Sequence, residues 1–190
     1  MTESAFPPSS LRPLLEEISS LLKERKETVS VAETAAGGII SASLLSVPGA
    51  SAYYKGGLTV RISSSTFQSQ IFNEQKLYTL ESRLAFADWT SEHIANYKGP
   101  TTAIVAGLAE STRSKLQSTY AISESGTAGP GGGKASRKPG VVFIAVAAPG
   151  GTYTKEIDTG YGENREKNMV GFAEEGLKLL RDVLKGDAKL

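Results

Sequence analysis

The chain has 190 residues, 21 Lys and Arg against 20 Asp and Glu, and a formal net charge of +1. That length suits one domain with a single good core, and the balanced charge excludes recognition of nucleic acid or an anionic membrane through net field alone. Cysteine is absent, which excludes disulfides, thiolate metal sites and a cysteine nucleophile.

The start, MTESAFPPSS, lacks a basic, apolar leader, and no later apolar run reaches the roughly 20 residues needed to span a bilayer, so a soluble, cytoplasmic protein is expected. Residues 1–10 read as a flexible lead and 11–190 as one domain. Leu11, Leu14, Leu15, Ile18, Leu21 and Leu22 recur at helical spacing, with Glu16, Glu17, Lys23 and Glu24 available for the wet face. ETVSVAE then alternates β-branched with small or polar residues as a strand does, and 37–45 has the apolar content of a mostly buried second helix closed by VPG. GGLTVRIS, 56–63, predicts a strand; 81–97 predicts a helix ended by KGP, with Phe86 and Trp89 toward the core.

Residues 101–116 are again helical in pattern, and STYAISESG predicts a strand running into a loop. GVVFIAVAAP is a strand whose unbroken apolar run requires cover on both faces. PGG at 149–151 signals a hairpin into TYTKEIDTG, and a long helix over 165–184 is apolar at Val170, Leu177, Leu180 and Leu184. Helices interleaved with a few strands predict a three-layer α/β or mixed α+β sandwich around one central sheet, and the hairpin makes that sheet mixed.

Two segments can carry chemistry. In VAETAAGG a strand hands over to a helix through small residues and two glycines; exposed N–H groups and the positive end of the helix dipole suit an anion there. Thr34 either caps the helix or offers its hydroxyl to a ligand, and Gly37 and Gly38 serve either tight packing or close ligand approach. The second segment, SGTAGPGGGKASRKPG, fits neither a P-loop nor a dinucleotide fingerprint. Its glycine-rich start suits a phosphate or carboxylate held by backbone donors, whereas its basic tip, Lys134, Arg137 and Lys138, reads as solvated. His93 shows no metal-ligand spacing with acidic neighbours and reads as a partly exposed helix residue; no metal and no cofactor are expected. Ser63, Ser64, Ser65 and Thr66 read as a helix start or polar loop.

In this order and spacing, VAETAAGG, VPGASAYYKGGLTV, SGTAGPGGG and KPGVVFIAVA resemble the CinA C-terminal domain family across roughly 11–184. The resemblance implies an α/β three-layer sandwich, a central mixed sheet flanked by helices, in a homo-oligomer. It also implies a small nucleotide ligand such as nicotinamide mononucleotide, which active members hydrolyse without a metal to nicotinic acid mononucleotide and ammonia. Against the family's A-E-S-C-T-G-G, Ala32, Glu33, Gly37 and Gly38 match, while Thr34 stands at the serine and Ala35 and Ala36 replace Cys and Thr. Gly57 matches the next motif, but Arg61 falls at its tyrosine and Thr66 at its lysine, and Leu80 replaces the serine that opens the following helix.

The frame of the later motifs is kept in Gly126, Thr127, Gly129, Pro130, Gly132, Gly162 and Arg165, with Gly131 in place of an acidic residue. Thr34 is thus the implied catalytic position. Glu33, Ala35, Ala36, Gly37, Gly38, Gly57, Arg61, Thr66, the 126–132 glycines with Thr127 and Pro130, and Arg165 are the implied ligand contacts. A threonine without a titratable partner is a poor nucleophile, and an arginine is protonated at any ordinary pH, so hydrolysis is expected to be weak, altered or absent. The alternatives are a rebuilt amidase, using Thr34 or one of Ser63, Ser64 and Ser65 with Lys55 or Lys134 as base, and an oligomeric interaction subunit whose glycines serve packing alone.

Overall fold

The computed structural model describes residues 5–59, 99–131 and 138–190. The leucine-rich opening forms helix α1 (Arg12–Arg25), with Pro13 in the first turn, where its missing N–H leaves no bond unmade, and Lys26 ending the helix at φ 55°. Strand β1 (Val29–Glu33) is buried at every position. It leads through a tight turn into helix α2 (Ile39–Ser46) and then strand β2 (Tyr54–Thr59). Helix α3 (Thr102–Leu116) opens on Thr101, whose hydroxyl accepts the Ile104 N–H. Strands β3 (Tyr120–Gly126), β4 (Val141–Ala148) and β5 (Gly151–Asp158) precede helix α4 (Arg165–Lys185), whose cap Asn164 accepts the Lys167 N–H.

The five strands lie in the order β2-β1-β3-β4-β5. β1 runs parallel to both β2 and β3, whereas β3, β4 and β5 are antiparallel neighbours, so the sheet is mixed. Alternation along β4 explains its unbroken apolar run. Val142, Ile144 and Val146 enter the main core with α1, α2 and α4, while Phe143, Ala145 and Ala147 meet Val105 and Ala109 of α3 on the other face. Two helical layers with the sheet between them make the α/β three-layer sandwich that the sequence predicts. Each fully buried Leu or Ile in the main core, such as Leu15, Ile18, Ile40 and Leu177, contributes about 2 kcal/mol by leaving water.

The second helix differs from expectation at its start. Gly37 and Gly38 have φ of 70° and 101°, a left-handed conformation that cannot continue into a helix, so α2 begins at Ile39 rather than at residue 37. β2 begins at Tyr54, two residues before the expected strand, and is described as far as Thr59. The rest of that strand and the helix expected over 81–97, with Phe86, Trp89 and His93, lie outside the described residues. Among the described residues, no helix is long and apolar enough to cross a membrane.

Candidate functional site

β1 and β3 pair with Ala32 opposite Ser123, so Glu33 and Glu124 follow side by side where the two parallel strands end. Both are fully buried. A buried carboxylate is costly unless donors surround it, and the turn between β1 and α2 supplies them. Glu33 closes the start of α2: one oxygen accepts the N–H groups of Gly38 (3.1 Å) and Ile40 (2.9 Å), and the other accepts the N–H and the hydroxyl of Ser41 (2.8 and 2.6 Å). Glu124 takes the preceding stretch, accepting the N–H groups of Thr34 (3.0 Å), Ala35 (3.1 Å) and Ala36 (2.9 Å). Burial, with the neighbouring Glu33 carboxyl adding to it, pushes the Glu124 carboxyl up to about 7 against the pull of the three N–H groups. The N–H groups of Thr34, Ala35, Ala36, Gly38, Ile40 and Ser41, which such a turn could offer an external anion, are therefore engaged by the protein's own carboxylates.

Thr34 is half-buried, and its hydroxyl donates to the Ser125 hydroxyl at 3.2 Å. Ser125 is fully buried and immediately precedes Gly126, so this bond ties the first glycine turn to the second glycine segment. A Cβ on Gly126 would stand 2.7 Å from the Val141 carbonyl oxygen, which leaves glycine as the residue that fits. Thr127 donates its N–H to Val141 (2.9 Å) and accepts that of Gly140 (2.8 Å). Beyond it the chain packs on the start of α4. Gly129, at φ 90°, lies against the Glu163 backbone; Arg165 donates to the Gly129 carbonyl at 3.0 Å, and the buried Asn168 amide donates to Ala128 (2.9 Å) and Gly162 (2.7 Å).

Pro130 and Gly131 are exposed at the end of this segment. α4 reaches the first turn as well, because a Cβ on Gly37 would stand 2.9 Å from the Met169 methyl. Gly57 on β2 completes the group. A Cβ there would fall 2.5 Å from the Tyr54 hydroxyl and 2.7 Å from the Ser41 hydroxyl that serves Glu33.

Glu33, Thr34, Ala35, Ala36, Gly37, Gly38 and Gly57 thus gather on one side, and Gly126, Thr127, Gly129, Pro130, Gly131 and Arg165 on the other. Arg61, Thr66 and Gly132, with Lys134 and Ser63, Ser64 and Ser65, lie outside the described residues. Among the described residues, no basic side chain bonds the Thr34 hydroxyl, and Lys55 lies exposed on β2. No cluster of three or more His, Cys, Asp or Glu suited to a metal occurs among the described residues. Sequence reading did not single out Glu124, Ser125, Ser41 or Asn168. The signal for Glu124 was an acid inside a predicted strand, just before the glycine segment. A groove of about 400 Å³ lined by Glu110, Arg113, Ser118, Ala148 and Thr152 lies at the opposite end of β3 and gathers none of the sequence-predicted residues.

The CinA C-terminal domain profile matches residues 11–66 and 61–184. A CinA-like protein of Desulforapulum autotrophicum is 34% identical over 167 residues, covering 87% of this chain and 35% of the relative. One from Flavobacterium psychrophilum is 29% identical over 173 residues, covering 90% and 37%. The chain therefore spans about a third of the length of these relatives. Among solved structures, a competence/damage inducible protein from Agrobacterium tumefaciens superposes with a TM-score of 0.78 at 22% identity, covering 96% of this chain and 99% of that one. A CinA superfamily protein from Klebsiella pneumoniae gives 0.76 at 20% identity, covering 92% and 97%. These two likenesses establish the shared fold, and the profile match, which covers both glycine segments and the start of α4, establishes the family: the chain belongs to the CinA C-terminal domain family.

Proposed function

We propose that this protein binds a pyridine nucleotide such as nicotinamide mononucleotide where the β1–α2 turn meets the 126–131 segment, and that its hydrolysis of the carboxamide is weak or lost. The observation that carries this reading is the partner of the Thr34 hydroxyl. Amide hydrolysis needs a nucleophile relieved of its proton and free donors for the developing oxyanion. Thr34 is bonded to another neutral hydroxyl at 3.2 Å, and the N–H groups beside it are held by Glu124. A hydroxyl in that position is suited to hydrogen-bond a carboxamide rather than to attack it.

Calorimetric titration with nicotinamide mononucleotide is expected to show saturable binding while ammonia release stays near that of buffer. Thr34→Ala is expected to weaken binding about fivefold, the worth of one neutral hydrogen bond. Ammonia release well above buffer and abolished by Thr34→Ala contradicts the weak-hydrolysis reading. Absence of binding to both nicotinamide and nicotinic acid mononucleotides contradicts the ligand reading and favours the interaction subunit.

A further inference from the structure

We propose that Glu124 is the positioning residue of this site: through the consecutive N–H groups of Thr34, Ala35 and Ala36, its carboxylate fixes where the Thr34 hydroxyl stands. The inference rests on Thr34 being the ligand-contacting hydroxyl. Three successive backbone donors pointing at one carboxylate, at 3.0, 3.1 and 2.9 Å, define the path of the turn, because rotating any of these peptides breaks a charge-assisted bond inside the protein. The neighbouring Glu33 does a different task on the same turn, holding Gly38, Ile40 and Ser41 at the start of α2. One carboxylate therefore anchors the helix and the other anchors the residue that faces the ligand.

Adding a proton to Glu124 removes its charge and turns one acceptor oxygen into a donor, so the grip on the turn depends on pH. The groups that face Glu124 are few. β1 brings the Glu33 carboxylate, which raises the affinity of Glu124 for a proton, and β4 brings Ile144 as the paired residue. α2 brings Ser41, already bonded to Glu33. α4 packs on this face through the uncharged Asn168 and Phe172, both fully buried, with its Arg165 held on the Gly129 carbonyl.

Glu124→Gln in the full chain keeps the side-chain size and leaves a single acceptor oxygen for three N–H groups. In the ligand-free protein, amide hydrogen exchange at Thr34, Ala35 and Ala36 is expected to quicken at least about tenfold relative to Gly38, Ile40 and Ser41. Equal protection in the two proteins overturns the proposal. Affinity for nicotinamide mononucleotide, titrated from about pH 6 to pH 8, is expected to change with pH more steeply in the wild type than in the variant, where the ligand phosphate still titrates but residue 124 does not; matching profiles in the two proteins overturn the proposal.

If the wild type binds no pyridine nucleotide at any pH, the ligand reading fails by itself and the exchange experiment still tests the positioning role. Should Glu124→Gln not fold, the amide nitrogen shifts of the wild type serve instead. Those of residues 34–36 are expected to move together with one midpoint that residues 38, 40 and 41 do not follow, and the lack of a shared titration overturns the proposal.

Discussion

Glu124 accepts three N–H bonds that favour its charge, yet burial beside Glu33 raises its pKa from 4.5 to about 7. The folded chain thus holds this proton more tightly than the unfolded chain does. The stability it contributes is full below pH 4.5 and is lost as pH rises through about 7. The size is on the order of 3 kcal/mol across that window. Urea denaturation of the wild type is therefore expected to show a midpoint that falls between about pH 5 and pH 8, with most of the slope removed by Glu124→Gln. A midpoint that is level or rises over this range contradicts the assignment. At this scale the sequence is legible in part. Thr34 stands out because the glycines beside it demand an unusual backbone, a local property. Glu124 does not, because a lone acid in a strand has the pattern of a wet-face residue. Its burial follows only from pairing β3 with β1, about ninety residues earlier, and from a turn that folds its N–H groups inward.

The elements legible in the sequence share one cause, a hydrophobic pattern contained within the element itself. α1 and α4 show it at helical spacing, β4 shows instead an apolar run unbroken along the element, and the sequence places each to within a residue or two of its ends. What periodicity cannot reveal is how loops are tied to elements, and Asn168 is the clearest case. In sequence it is a polar residue near the start of an amphipathic helix. In the fold it is fully buried, donating to the Ala128 and Gly162 carbonyls and accepting from the Thr159 hydroxyl. Asn168→Ala leaves those buried groups without partners and is expected to cost about 2–3 kcal/mol, a drop of roughly 5–10 °C in the thermal midpoint. Asn164→Ala, which removes only the helix cap, is expected to cost about 1 kcal/mol. Equal losses in the two variants, measured by thermal denaturation, contradict the claim that Asn168 fastens the 126–131 segment.

The topology of the whole molecule explains why these residues meet. β1 is central to three parallel strands. The chain leaves it toward β2 through α2 on one face of the sheet, then returns past it to β3 by way of α3 on the other. Right-handed crossovers running in opposite directions require helices on opposite faces. At their C-terminal ends β1 exits toward β2 on one side and β3 exits toward β4 on the other, so the connections of these two neighbouring strands diverge there. That divergence is where open α/β sheets admit ligands, and it is where Glu33, Thr34, Glu124 and Ser125 lie. The groove lined by Glu110, Arg113 and Thr152 sits at the opposite end of β3, where no such divergence occurs. Nicotinamide mononucleotide added to isotope-labelled protein is therefore expected to shift the amide signals of residues 33–38, 126–129 and 131 and of Arg165, leaving those of Glu110, Arg113 and Thr152 in place. The same ligand at about a hundredfold excess over its dissociation constant is expected to stabilise the fold by about 2.7 kcal/mol. Shifts confined to the groove, with the divergence undisturbed, require the site to be moved to the other end of the sheet.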